Sequence, residues 1–228
     1  MNLHKYQSSN TSIPNSRGVT NPLPDDPNLR TWLRHRTHDC HVRLNRHPLL
    51  TGLTKPGYRM AAYQFLLAAY FHFYQAVEAG IKKFLAREKV DFDYTHRCKL
   101  PWLIADLQFL GIDPHDKLFS LQQPIETPEF SGLEHLIGIL YVVEGATLGG
   151  QIISASLATT LSLTANQGAC FFNGYGACTQ DYWRQFEIFV KSVSGDFISW
   201  EPAGFAATSM FSSIEGLLDN YQARLDAK

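Results

Sequence analysis

Apolar residues recur along this chain at three- and four-residue intervals, and no stretch alternates in the manner of a half-buried strand. The first such segment carries Leu29, Leu33, Thr37, Cys40 and Leu44 on one face. Asp26 and Pro27 supply an N-cap and a proline at the first helical position, so a helix is predicted from there to about Asn45–Pro48. A second helix is predicted from Tyr58 to about Glu88, with Tyr63, Leu66, Leu67, Tyr70, Phe71, Tyr74 and Val77 as its apolar face. Pro101 opens a third, with Leu103, Leu107 and Leu110 inside and Gly111 as its stop. A short helix over Lys117–Gln122 and a link through Pro124 and Pro128 lead to a long apolar run, Leu136 to Leu161. A polar connection near Ala165–Gly176 precedes two final helices, Thr179–Ser194 and Ala203–Leu225. Residues 1–25 are rich in Ser, Asn and Pro and are expected to be a disordered arm. The pattern predicts an all-α protein with a single domain over residues 26–228.

The run from Leu136 contains Gly138, Gly145, Gly149 and Gly150, although each glycine inside a helix costs roughly 1 kcal/mol against alanine. Gly138, Gly145, Gly149 and Ser156 share one narrow stripe at about 100° per residue. The adjacent pair Gly149-Gly150 makes a bend easy. Three readings of the stripe compete: close packing of two helices, a membrane span with a GxxxG face, and a groove that admits a large planar ligand. Glu144 near the centre of the run, with no flanking Lys/Arg cluster, argues against the span.

Composition narrows the classes. The chain has 228 residues, 45% of them apolar, enough for one well-buried domain. A net charge of -1 leaves no electrostatic footprint for nucleic acid or an anionic membrane. Cys40, Cys98, Cys170 and Cys178 lack CxxC spacing and read as reduced thiols. The N-terminus, MNLHKYQSSNTSIPNS, has no apolar h-region, so a cytoplasmic location is expected.

Ionisable residues crowd the first helix: Arg34, His35, Arg36, His38, Asp39 and His41. His41 borders its apolar face, and Arg34 lies seven residues earlier on the same stripe, about 10 Å away along the axis. An imidazole and a guanidinium so placed suit a metalloporphyrin, the imidazole on iron and the cation on a propionate. A core-edge histidine and a His38–His41 metal pair are the alternatives. No Glu-x-x-His motif is present to suggest a di-iron bundle.

Two motifs then coincide. LRHRTHDCH, Leu33 to His41, resembles the proximal-helix signature of the heme oxygenases, and YVVEGATLGGQII, Tyr141 to Ile153, resembles the distal-helix signature of their bacterial branch. The likeness extends to the heme oxygenases found alongside bacterial phytochromes. Further similarity lies in the Tyr58–Glu78 helix, in the run from Arg97 to Gly111, and in FFNGYG followed by Trp183-Arg184, so that residues 29–218 are covered.

The resemblance implies the heme oxygenase fold, with heme between the first helix and a kinked, glycine-rich distal helix. It implies His41 as the iron ligand, Arg34 and Arg184 as propionate contacts, and Gly145, Gly149 and Gly150 as the distal wall. Heme would be cofactor and substrate together, opened to biliverdin with release of CO and iron. The reaction would use O2 and electrons from a reductase or ferredoxin, and the resemblance implies a phytochrome as recipient of the product. One position departs from the mammalian-type pattern: Ala146 stands where an aspartate anchors the catalytic water, so protons would arrive through water held by backbone carbonyls and polar groups. That departure keeps open a heme carrier or sensor without turnover. Glu144 points about 100° away from the stripe and is expected to pair with a neighbouring helix.

Overall fold

The computed structural model describes residues 28–121, 123–193 and 199–228. The predicted arm, the Asp26-Pro27 helix start and Ser194 lie outside the described residues, as does Gln122. The described residues form helices and turns with no strand, only isolated bridges from Thr164 to Gln167 and Gly168.

The first predicted helix is divided at Thr37 into α1 (Leu29–Arg36) and α2 (His38–Asn45). Asn28 caps α1, its side chain accepting from the Thr31 amide at 2.9 Å. Thr37 turns its hydroxyl back onto the Leu33 carbonyl at 2.8 Å, a bond that competes with the helical ladder. The His41 amide still bonds to the Thr37 carbonyl, so the direction of the chain carries on. A short α3 (Pro48–Thr51) follows, and then the central helix α4 (Met60–Glu88), whose aromatic face is almost wholly buried. α5 (Leu100–Phe109) ends where Gly111 adopts φ +66°.

The short helix expected at Lys117–Gln122 is instead a series of turns over its described residues. Asp113 and Asp116 accept from the amides of His115 and Leu118, two residues on, which favours turns over a helix. The carbonyls of Lys117, Leu118 and Ser120 are taken by Arg224, and that of Phe119 by Tyr221.

The glycine helix is α6 (Leu133–Thr160), and its helical assignment runs unbroken through Gly149 and Gly150. α7 (Cys170–Asn173) and α8 (Thr179–Val193) follow. The last helix, α9 (Trp200–Asp226), starts a turn earlier than expected. Pro202 is tolerated there because first-turn amides have no partner within the helix. α9 packs against α1, α2, α4 and α6 and so joins the two halves of the molecule. Where it crosses α6, a Cβ on Gly138 would lie 2.0 Å from the Ala203 carbonyl oxygen, so Gly138 serves close helix packing.

Asp106, 1% exposed, accepts from the amides of Cys170 and Phe171 at 2.7 and 2.8 Å and anchors α7. Burial raises its pKa to about 6 against the pull of those two amides. The folded state therefore holds a proton on Asp106 between about pH 4 and 6 that the unfolded chain has released. Stability from this group is full below the unfolded pKa and is lost as pH rises through about 6, by roughly 3 kcal/mol in all. Asp106→Asn should remove this dependence, so that wild type loses stability relative to the variant between pH 4 and pH 7. Urea unfolding of both proteins across that range measures it.

Candidate functional site

Tyr141 of α6 and Arg30 of α1 meet on Trp183, the Tyr141 ring 6.0 Å from its centroid and the Arg30 guanidinium 5.4 Å. The half-buried phenol of Tyr141 is pushed up in pKa by burial, and drawn back by the nearby Thr37 side chain and by the charges of Arg34 and Arg30. One turn further along each helix stand Gly145 and His41.

The imidazole of His41 is solvent-accessible and meets the Phe211 ring of α9 edge-on, with centroids 6.2 Å apart. Asn45, four residues on, places Nδ2 3.1 Å from His41 Nδ1. That contact occupies Nδ1, and Nε2 has no partner among the described residues. Partial desolvation, and then the neighbouring His38, lower the pKa of His41, which favours the neutral ring a metal requires.

The glycines of α6 separate into two kinds. A Cβ on Gly149 would meet nothing within 4 Å, and one on Gly145 only the edge of the Trp183 ring at 3.8 Å. Ile152, on the same face, is 71% exposed, a large apolar side chain left without a partner. Gly145, Gly149 and Ile152 thus form an open apolar face.

Gly150 does not belong to that face. Its Cβ would lie 2.3 Å from the Phe172 carbonyl oxygen, so that Gly150 lets α7 pack against α6.

Arg34 is exposed and forms no ion pair among the described residues, whereas Arg30 pairs with Glu187 at 2.8 Å and lies over the Trp183 ring. Arg184, the other expected propionate contact, lies on α8. Its guanidinium is 70% exposed and paired with Asp181 at 3.0 Å, on the outer side of α8. Its neighbour Trp183, 5% exposed, is the α8 residue that reaches Gly145. Among the described residues no three His, Cys, Asp or Glu side chains gather around a common metal position, so the His38–His41 pair gains no third ligand.

Glu144 points away from the open face, as expected, into a buried ionic cluster. Arg97 and Lys99 bond to its two oxygens at 2.8 and 2.6 Å. α6 is the one described helix long and apolar enough to cross a membrane, but half of its most apolar window is buried within the fold.

The fold thus presents an accessible imidazole at His41 and a stretch of bare helix backbone at Gly145 and Gly149, two features that a site for a flat metal-bearing ligand needs. The heme oxygenase family model matches residues 27–196, most of the chain, and the chain belongs to the heme oxygenase family. Its fold is similar to that of the NO- and CO-bound heme oxygenase from Neisseria meningitidis, with a TM-score of 0.69, 19% identity, and coverage of 86% of this chain and 92% of that one. It is also similar to the heme oxygenase of Leptospira interrogans, at 0.67 and 19% over 84% and 98% of the two chains. Heme oxygenase-2 of the cyanobacterium Synechocystis, solved with heme and NO, gives 0.70 and 18% over 88% of each. No curated protein sequence matches the chain.

Sequence reasoning missed Asn45, Phe211 and Trp183. The i, i+4 spacing of His41 and Asn45 was the available signal for the first; the other two come from distant helices.

Proposed function

We propose that this protein is a heme oxygenase in activity as well as in family, opening heme to biliverdin with release of CO and iron. It would use O2 and electrons from an external donor protein, and a bacterial phytochrome is a natural recipient of the biliverdin. The observation that carries this reading is the bare, open backbone face at Gly145 and Gly149 of α6, taken with the accessible Nε2 of His41. The residues fit a heme, because a Cβ would occupy the space that the macrocycle needs at Gly145 and Gly149.

Bound heme supplies the iron at which O2 is activated and the ring that is oxidised. His41 would hold that iron through Nε2. Its Nδ1 would then carry the proton and donate to the Asn45 amide oxygen, an orientation reached by exchanging the amide O and N positions. A neutral imidazole lacks the strong electron push of a thiolate. Phe211, Ile152 and the edge of Trp183 would cover apolar faces of the macrocycle, and Arg34 would meet a propionate. The bare backbone at Gly145 and Gly149 would confine the space above the ring and direct attack toward its edge.

A heme carrier without turnover is the second reading. One observation favours it: the carboxylate of Glu144 is committed to Arg97 and Lys99, and Ala146 supplies none. Protons would then have to arrive through water held at the backbone. Heme titration followed by reductant and O2 distinguishes the two. A Soret band that decays as a red biliverdin band grows is the expected result. A persistent heme spectrum would establish the carrier, and no Soret shift would refute both. In the same assay Arg34→Glu should weaken heme binding or change the biliverdin isomer ratio, and no change in either would remove Arg34 from the site.

A further inference from the structure

The ions buried behind α6 have no part in that chemistry. Glu144 and Lys99 are each 1% exposed, and the Arg97 side chain 4%. Lys99 spends all three N–H donors, on Glu144 Oε1 at 2.6 Å, the Tyr175 hydroxyl at 2.7 Å and the Arg97 carbonyl at 2.7 Å. Arg97 donates to Glu144 Oε2 at 2.8 Å, the Tyr182 carbonyl at 3.2 Å and Gln185 Oε1 at 3.0 Å. The cluster therefore ties α6 to the start of α5, to the loop before α8 and to α8 itself.

Net stability is a poor reason for such a cluster, because apolar residues of similar volume usually serve as well or better. What the cluster adds is direction. Beyond Glu144 the buried positions of α6 are Thr147, Gly150 and Leu157, and Gly150 has no side chain. Apart from the partly buried Leu148 and Ile153 and the close approach of α7 at Gly150, few apolar knobs fix the rotation and axial register of this half of the helix. A slip of one residue would turn α6 by about 100° and carry Gly145 and Gly149 off the open face.

We infer that Lys99 is a positioning residue: through Glu144 it sets the register of α6 and keeps Gly145 and Gly149 on its open face. The purpose of that register rests on the proposed heme site, but the register itself is measurable without heme.

The test is amide hydrogen exchange of the full, ligand-free chain. The variants are Lys99→Arg and a charge-free triple, Arg97→Met/Lys99→Met/Glu144→Leu. The triple should unfold cooperatively, yet amides 145–157 should exchange about tenfold faster or more while those of α4 stay unchanged. Lys99→Arg keeps the charge but cannot place three donors on the same three acceptors, so it should loosen the same amides. Wild-type protection at 145–157 in either folded variant would overturn the inference. Uniform loss of protection across the chain, or failure of both variants to fold, would also overturn it, since the cluster would then support the fold as a whole. A wild-type chain with no Soret shift would refute the heme site and leave the exchange result standing.

Discussion

His41→Ala is expected to cut biliverdin formation at least about a hundredfold, equivalent to about 2.7 kcal/mol of barrier, with helical content unchanged. The ring is accessible and touches the rest of the protein through an edge contact to Phe211 and the bond with Asn45. Its loss should therefore change folding stability by only about 0.5 kcal/mol, as for other surface substitutions. The variant should still unfold cooperatively, and added imidazole should restore an axial ligand and part of the Soret intensity. His38→Ala is the control for register, since His38 is also exposed and stands one turn away. Wild-type turnover in His41→Ala together with loss in His38→Ala would move the ligand to the other histidine.

The second large effect separates two adjacent glycines. Gly149→Ala should stabilise the ligand-free protein by up to about 1 kcal/mol, because alanine is the better helix former and its Cβ meets nothing within 4 Å. Gly150→Ala should destabilise it by about 1–3 kcal/mol, the usual range for overpacking. There the obstacle is the Phe172 carbonyl, on a backbone segment that Asp106 holds through the amides of Cys170 and Phe171. One chemical change thus has opposite signs at neighbouring positions, which thermal unfolding reads directly. Function should invert the order. Gly149→Ala, and more so Gly149→Val, should fold and still give a His-ligated Soret band, yet yield little biliverdin because the methyl groups occupy the space above the ring. Full yield at the wild-type rate from both Gly149 variants would refute the distal-wall role.

Much of this was legible along the chain because it depends on neighbours in sequence. Helical periodicity, the stop at Gly111 and the motif spacing around Thr37 and His41 are local properties, and so is the outward turn of Glu144 from the glycine stripe. The all-α class follows from them without reference to any long-range contact. The turns at Lys117–Ser120 could not be read that way, because carbonyls free to close a helix are claimed by Tyr221 and Arg224 from about a hundred residues on. The glycines show the division most sharply. Periodicity puts Gly138, Gly145 and Gly149 on one stripe, but their uses depend on what lies opposite: the α9 backbone at Gly138, open space at Gly149, and the α7 backbone beside it at Gly150. The same holds for Trp183 and Arg184, adjacent on α8, of which the fold buries the first against Gly145 and leaves the second in solvent. The sequence by itself determined the helices, the candidate ligand and the presence of bare backbone, since dihedral preferences and spacing act within a few residues. Tertiary structure alone decided which bare backbone stays open and which ions hold it there, because those depend on the approach of segments far apart in the chain.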